Sequence, residues 1–252
     1  TFGYVGEIGQ PVLHAEGSWL HLWYVSRSLG GAINHSLSTD GGKSWSKPTR
    51  LQTSPLASLG SEVHAPPVPM ADGGLALPIS QTLLGHRGEI LRLSATGRIL
   101  DKTRLPAGSA WQPTALALDA QRALALLRDA DTGHIQVAGT DDGGGRWLSR
   151  DGLPIPNLDT PLAALRLRSG RLLLAAHGTD GRQTLQLWLS ADEGRHWQAS
   201  RTLESAADGG AEFTDPVMLL GRDGRIHLAY SWRRQGIRHA VFSEGWLDER
   251  LP

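Results

Sequence analysis

Ser38-Thr39-Asp40-Gly41-Gly42-Lys43-Ser44-Trp45 is written again as Thr140-Asp141-Asp142-Gly143-Gly144-Gly145-Arg146-Trp147, and a third time as Ser190-Ala191-Asp192-Glu193-Gly194-Arg195-His196-Trp197. Each copy runs hydroxyl, any residue, Asp, any residue, Gly, two residues, Trp. Asp40, Asp142 and Asp192 stand 102 and 50 residues apart, which is two periods and then one, with a decayed copy expected near residue 91. A fixed period of about 50 residues marks a repeat architecture. The phrase also has a local logic. Asp can accept bonds from the backbone of a tight turn, Gly supplies a positive φ, and Trp can fold back as an apolar plug whose N–H seeks a partner.

A second mark keeps the same period. An X-Pro pair before an apolar run occurs at Gln10-Pro11, Pro66-Pro67, Gln112-Pro113, Thr160-Pro161 and Asp215-Pro216. Proline is tolerated at the first position of a strand, where no ladder donor is yet needed. After each run comes a polar turn, such as Glu16-Gly17-Ser18, Asp72-Gly73-Gly74 or Asp223-Gly224, and then a second strand, such as Trp19 to Val25, Leu172 to Ala176 or Arg225 to Tyr230. Short strands with turn signals at this spacing read as propeller blades. The expectation is an all-β chain, a β-propeller of four-stranded blades of about 50 residues. Five blades are visible, near 8–58, 62–106, 110–156, 158–206 and 212–247, within one domain spanning 1–252.

Composition narrows the function classes. With 31 Gly and 14 Pro the chain suits many tight turns, and its formal net charge of zero gives no support to nucleic-acid binding. No apolar run approaches the roughly 18 residues of a membrane span. The chain has no Cys, so disulfides, thiolate metal sites and a Cys nucleophile are excluded. No phosphate loop, Gly-x-Ser-x-Gly elbow or His-Glu-x-x-His helix is present. No cofactor and no metal are expected.

The repeated phrase resembles the Asp-boxes of sialidases and related β-propellers, which lie on the turn between the third and fourth strands of a blade, on the face away from the active site. Sialidases have six blades, so the resemblance implies a further N-terminal blade; the alternative is a five-bladed ring in which Thr1 to Val5 adds the outer strand that the last unit lacks. The chain opens abruptly on Thr1-Phe2-Gly3-Tyr4, and with a signal segment upstream the expectation is an exported protein, periplasmic or extracellular.

With the Asp-boxes on one face, the loops from second to third strand and the starts of the inner strands belong to the other. Those loops read Ser26-Arg27-Ser28-Leu29-Gly30, Gly85-His86-Arg87-Gly88, Arg128-Asp129-Ala130-Asp131, Thr179-Asp180-Gly181-Arg182 and Trp232-Arg233-Arg234-Gln235-Gly236. Each carries an arginine. Several cations at one place need an anion to answer them, and a guanidinium meets a carboxylate with two parallel bonds. Arg27, Arg87, Arg128, Arg182 and Arg233 are thus candidate substrate-binding residues. Sialidases hold the sugar carboxylate with three arginines, and the resemblance nominates Arg128, Arg182 and Arg233.

The starts of the inner strands offer Glu7, Glu62, His64, Asp159, Glu212 and Asp215. Glycoside cleavage needs one group to protonate the leaving oxygen and one to attack or activate water. Glu212 and Asp215 flank the last inner strand and are the candidate catalytic pair, with His64 a further substrate-binding candidate. The stretch from Glu212 to Arg234 resembles the last blade of bacterial neuraminidases, which carry Glu-Tyr-Ser-Tyr-Pro where this chain has Glu212-Phe213-Thr214-Asp215-Pro216. In sialidases a Tyr near this strand start is the nucleophile. Two functions follow as expectations: a sialidase-like glycoside hydrolase acting on an acidic sugar, or a propeller that has lost the nucleophile and binds glycans or serves assembly.

Overall fold

The computed structural model describes residues 7–27, 31–54, 58–83, 85–206 and 210–249. Thr1 to Val5, and Ser28, Leu29 and Gly30 of the first loop, lie outside them. The chain divides into two compact units, Thr1–Leu127 with Val137–Arg150, and Arg128–Gln136 with Asp151–Pro252.

The first unit holds three antiparallel sheets. The first is β1 (Ile8–Glu16), β2 (Trp19–Ser26), β3 (Ala32–Ser38) and β4 (Thr49–Arg50), paired in chain order. The second is β5 (Ser61–Val63), β6 (Val68–Pro69), β7 (Leu75–Gln81), β8 (Arg87–Leu93) and β9 (Ile99–Arg104). Here β5 and β6 both pair with β7 and form one interrupted inner strand. The break falls at Pro66 and Pro67, which have no N–H to give the ladder. The third sheet is β10 (Trp111–Ala117), β11 (Ala123–Arg128), β12 (Gln136–Thr140) and β13 (Leu148–Arg150).

The second unit holds β14 (Ala163–Arg166), β15 (Leu172–Gly178), β16 (Gly181–Ser190) and β17 (Gln198–Ser205), and then β18 (Phe213–Leu220), β19 (Ile226–Trp232) and β20 (Gly236–Phe242). The last sheet has three strands among the described residues. Five sheets, each running through consecutive antiparallel strands, are the blades of a β-propeller.

Apolar side chains pack between neighbouring blades of each unit. Trp23, Ile33, Leu77 and Leu91 fill the space between the first two. Ala76, Ile90, Ala115, Leu127 and Trp147 do so between the second and third. In the second unit Leu173, Leu187, Phe213 and Leu228 form one cluster. The middle strands β7 and β15 are buried from end to end, which explains their unbroken apolar runs.

Each Asp-box spans the turn after a third strand. Asp40 Oδ1 accepts from Ser38 Oγ at 2.8 Å and from the Ser44 N–H at 2.9 Å, while Ser38 Oγ accepts from the Gly42 N–H at 2.8 Å. The Thr140/Asp142/Gly144/Arg146 and Ser190/Asp192/Gly194/His196 turns repeat the pattern. Hydrogen bonds from the Ser44 side chain and backbone hold the Asp40 carboxyl down to about 2. The tryptophans vary: Trp147 is buried, whereas Trp45 is 39% exposed. The decayed copy lies between β8 and β9 at Ser94-Ala95-Thr96-Gly97, where Thr96 stands for Asp and its hydroxyl meets Ser94 Oγ at 3.0 Å.

Candidate functional site

Strained backbone gathers where inner strands begin. Gln10, Gln112, Asp159 and Asp215 all have positive φ, between 47° and 54°. Three of them precede a proline, and β1 and β18 lose register just there, between Gly9 and Val12 and between Thr214 and Val217. Non-glycine residues avoid this region unless their surroundings impose it, and such residues cluster at functional sites.

In the second unit these starts meet the loops. A cavity of about 330 Å³ is lined by Arg128, Arg182, Arg234, Glu212, Thr214 and Asp215. A second, of about 280 Å³, shares Arg182 and Glu212 with it and is also lined by Thr160, Asp180 and Gln183. Arg128 ends β11 with a side chain only 9% exposed, and its Nε stands 3.0 Å from Asp159 Oδ1. Arg182, the second residue of β16, is exposed and makes no side-chain hydrogen bond or ion pair among the described residues. Asp215 is exposed and accepts from Thr214 Oγ1 at 2.8 Å. Below them His177 is buried and contacts the Phe213 carbonyl, and burial lowers its pKa.

The hairpin between β19 and β20 decides which arginine reaches this cavity. Arg233 and Arg234 both have φ of 55°, and the Gln235 N–H closes the turn on the Trp232 carbonyl at 2.9 Å. The loop joining Trp232 to Gly236 has three residues, and two consecutive positive φ values are the tight-turn geometry normally filled by Asn-Gly. The turn sends Arg233 over the Trp232 ring, 5.1 Å from its centroid. Arg234 goes to the cavity, where Nε and Nη2 donate to Glu212 Oε2 at 3.0 and 2.8 Å. Of the three arginines nominated for a carboxylate, Arg128 and Arg182 therefore share the cavity, and Arg234 stands where Arg233 was expected. The signal was in the turn: only one of two adjacent residues can face the strand start.

The other candidates lie in the first unit. Arg87 is the first residue of β8, and its Nε donates to Glu89 at 3.2 Å; Lys102 Nζ meets the same buried carboxylate at 3.1 Å. Arg27 packs against Gly9, where a Cβ would lie 3.7 Å from its Nε. His64 Nε2 stands 3.1 Å from Glu62 Oε2, and the Gln112 amide is 2.8 Å from the same nitrogen. A hydrogen bond from His64 and the charge of Arg27 hold the Glu62 carboxyl below its ordinary range against burial. The predicted residues thus form two groups, Arg128, Arg182, Glu212 and Asp215 in one unit, and Arg27 and His64 in the other.

The replacement of tyrosine by Phe213 has a clear placement. Phe213 is wholly buried in the core of the second unit, so its ring takes no part in the cavity. Asp215 alone of the two replaced positions faces the open space. Tyr230 does not substitute for them: it is 2% exposed and its hydroxyl donates to Glu204 Oε1 at 2.5 Å. Burial and the Glu204 carboxylate raise the phenol pKa, the opposite of what a nucleophile needs. Among the described residues no three His, Asp or Glu are grouped to hold a metal ion, and no helix is long and apolar enough to cross a membrane.

Solved structures of similar fold include sialidases and trans-sialidases. A Trypanosoma rangeli sialidase superposes with a TM-score of 0.72 at 14% identity, over 96% of this chain and 46% of its own. The NanB sialidase of Streptococcus pneumoniae gives 0.69 at 14% identity, over 86% and 36%. The intramolecular trans-sialidase of Ruminococcus gnavus, solved with oseltamivir carboxylate, gives 0.68 at 16% identity, over 98% and 60%. The chain thus spans about one third to three fifths of the length of these neighbours. At such identities the likeness speaks for the fold, the sialidase-type β-propeller. No curated protein matches the chain. The BNR repeat-like domain family matches residues 3–228, nearly the whole of it. The chain belongs to the BNR repeat-like domain family.

Proposed function

We propose that the chain is a sialidase-like glycoside hydrolase whose second unit holds the carboxylate of an acidic sugar. The observation that carries this reading is Arg182, an exposed guanidinium without a protein partner among the described residues, lining one cavity with Arg128 and Arg234. Its neighbours are already matched to carboxylates, Arg128 to Asp159 and Arg234 to Glu212. Arg182 is therefore the cation with unused bonding capacity, and a planar carboxylate is the anion that fits its fork. Glu212 and Asp215 line the same cavity and supply the two carboxyl groups that glycoside cleavage requires. Asp215, at the exposed replaced position, is the group with access to a sugar carbon or an attacking water, and an aspartate is an established type of glycosidase nucleophile.

A second reading, a glycan-binding propeller without turnover, is favoured by one observation: Glu212 is tied through both Nε and Nη2 of Arg234. Turnover separates the two. The hydrolase reading expects release of methylumbelliferone from a sialoside or a glucuronide, lost in Asp215→Asn and in Arg182→Ala. Binding of the acidic sugar with no release from either substrate would establish the second reading instead.

A further inference from the structure

The first unit gathers polar and aromatic side chains that the acidic-sugar cavity does not use. Three consecutive inner strands contribute at their starts: Gln10 on β1, Glu62 and His64 on and after β5, and Trp111 and Gln112 on β10. Gln10 Nε2 donates to Glu62 Oε2 at 3.4 Å, and the Gln112 amide meets both nitrogens of His64 at 2.8 and 3.2 Å. His86, from the loop before β8, stacks flat on Trp111 with ring centroids 4.1 Å apart, and His64 stands edge-on to the same indole at 6.5 Å. Both glutamines are held at positive φ. That conformation is unfavourable for a residue with a Cβ and gains the fold nothing by itself, while it turns each amide toward the Glu62/His64 pair.

One atom points to a ligand. The Gln10 amide must present its nitrogen to the Glu62 carboxylate, which fixes its carbonyl oxygen on the other side. That oxygen is buried and accepts no hydrogen bond among the described residues. A buried acceptor without a donor is costly, and folded proteins rarely leave one. Beside it the Glu62 carboxylate, 22% exposed, has lone pairs beyond those taken by His64 and Gln10. The cluster is therefore rich in acceptors and asks its ligand for donors. Hydroxyl groups supply them, whereas a second carboxylate would stand against Glu62. The aromatic pair offers an apolar wall to the C–H face of a ring.

We propose that the first unit carries a second carbohydrate site, taking an uncharged pyranose whose hydroxyls donate to Glu62 and Gln10 and whose ring packs on the Trp111/His86 pair. The site differs in chemistry from the arginine-lined cavity of the second unit, and the two stand or fall separately.

Saturation-transfer NMR on the full chain tests it, with the uncharged methyl glycosides of galactose, glucose and mannose as probes. At least one should receive saturation at its ring C–H groups and bind the wild type. Its affinity should fall about tenfold or more in Trp111→Ala and in Glu62→Gln, the latter an isosteric change that keeps the melting temperature, and stay unchanged in Arg182→Ala. No transfer to any of the three glycosides, or equal affinity in wild type and Glu62→Gln, overturns the proposal. Loss of acidic-sugar binding in Arg182→Ala, with the neutral glycoside still bound, leaves it standing whatever becomes of the hydrolase reading.

Discussion

Arg128 and Arg182 line the same cavity but have different obligations. Arg128 is buried and matched by Asp159, so removing it strands a carboxylate in a partly dry place. Arg182 is exposed and owes the fold nothing. Arg128→Ala should cost stability, about 1–2 kcal/mol once the partial exposure of Asp159 is allowed for, or a melting point lower by a few degrees. Arg182→Ala should leave the melting curve where it is and weaken acidic-sugar binding by at least about tenfold, the worth of one charge-assisted bond. Calorimetry and a titration on both variants check this pair; equal effects on stability would show that the two arginines play one role. The Asp-box makes a different residue-scale demand. Asp142 accepts from the Thr140 hydroxyl and the Arg146 N–H at 2.9 and 3.0 Å. Asp142→Ala should lower the melting temperature by about 2–4 °C, since two modest bonds together are worth on the order of 1 kcal/mol.

At the scale of elements, one turn stores strain that the sequence hardly announces. The β19–β20 hairpin places two arginines where Asn-Gly would sit comfortably. Replacing Arg233 and Arg234 by Asn and Gly should raise the melting temperature and at the same time reduce acidic-sugar binding, a trade expected where strain serves a site. A variant both more stable and fully active would remove the site from this hairpin. The turn after β8 shows the opposite economy. Gly97 has φ of 83°, and a Cβ there would lie 2.3 Å from His35 Cε1, so Gly97→Ala should destabilise the first unit. The blade period, the strand order and the Asp-box turns were legible because each rests on local chemistry: a Pro that starts a strand, a Gly at positive φ, an Asp that accepts from its own turn. That each loop from second to third strand carries an arginine was legible too, although these loops divide between the two units. What could not be read was which of Arg233 and Arg234 faces inward, or that Arg87 is spoken for by Glu89. Both depend on a turn's handedness or on a partner across a strand pair, and spacing along the chain carries neither.

For the whole molecule, zero net charge removes any broad electrostatic pull, so selectivity has to come from the local contrast between arginine-lined and acceptor-rich surfaces. Stability should depend on pH through buried imidazoles. His21 Nδ1 and His35 Nε2 share one hydrogen bond at 3.0 Å, which needs a lone pair on one ring. Burial, reinforced by repulsion from His21, lowers the His35 pKa from 6.5 to about 4. The folded state thus holds fewer protons than the unfolded chain between these values, so stability is full above pH 6.5 and lost as pH falls toward 4. The loss attributable to His35 is on the order of 3 kcal/mol. Melting temperatures measured across that range should fall, and fall less steeply in His35→Gln. A flat profile would mean that the pair is not buried as described. The central claim, that the second unit recognises a sugar by its carboxylate, is tested most directly by titrating the wild-type chain calorimetrically with N-acetylneuraminic acid, glucuronic acid and the methyl ester of each. At least one free acid should bind and its ester should not; equal binding of acid and ester, or no binding of either acid, would contradict the account.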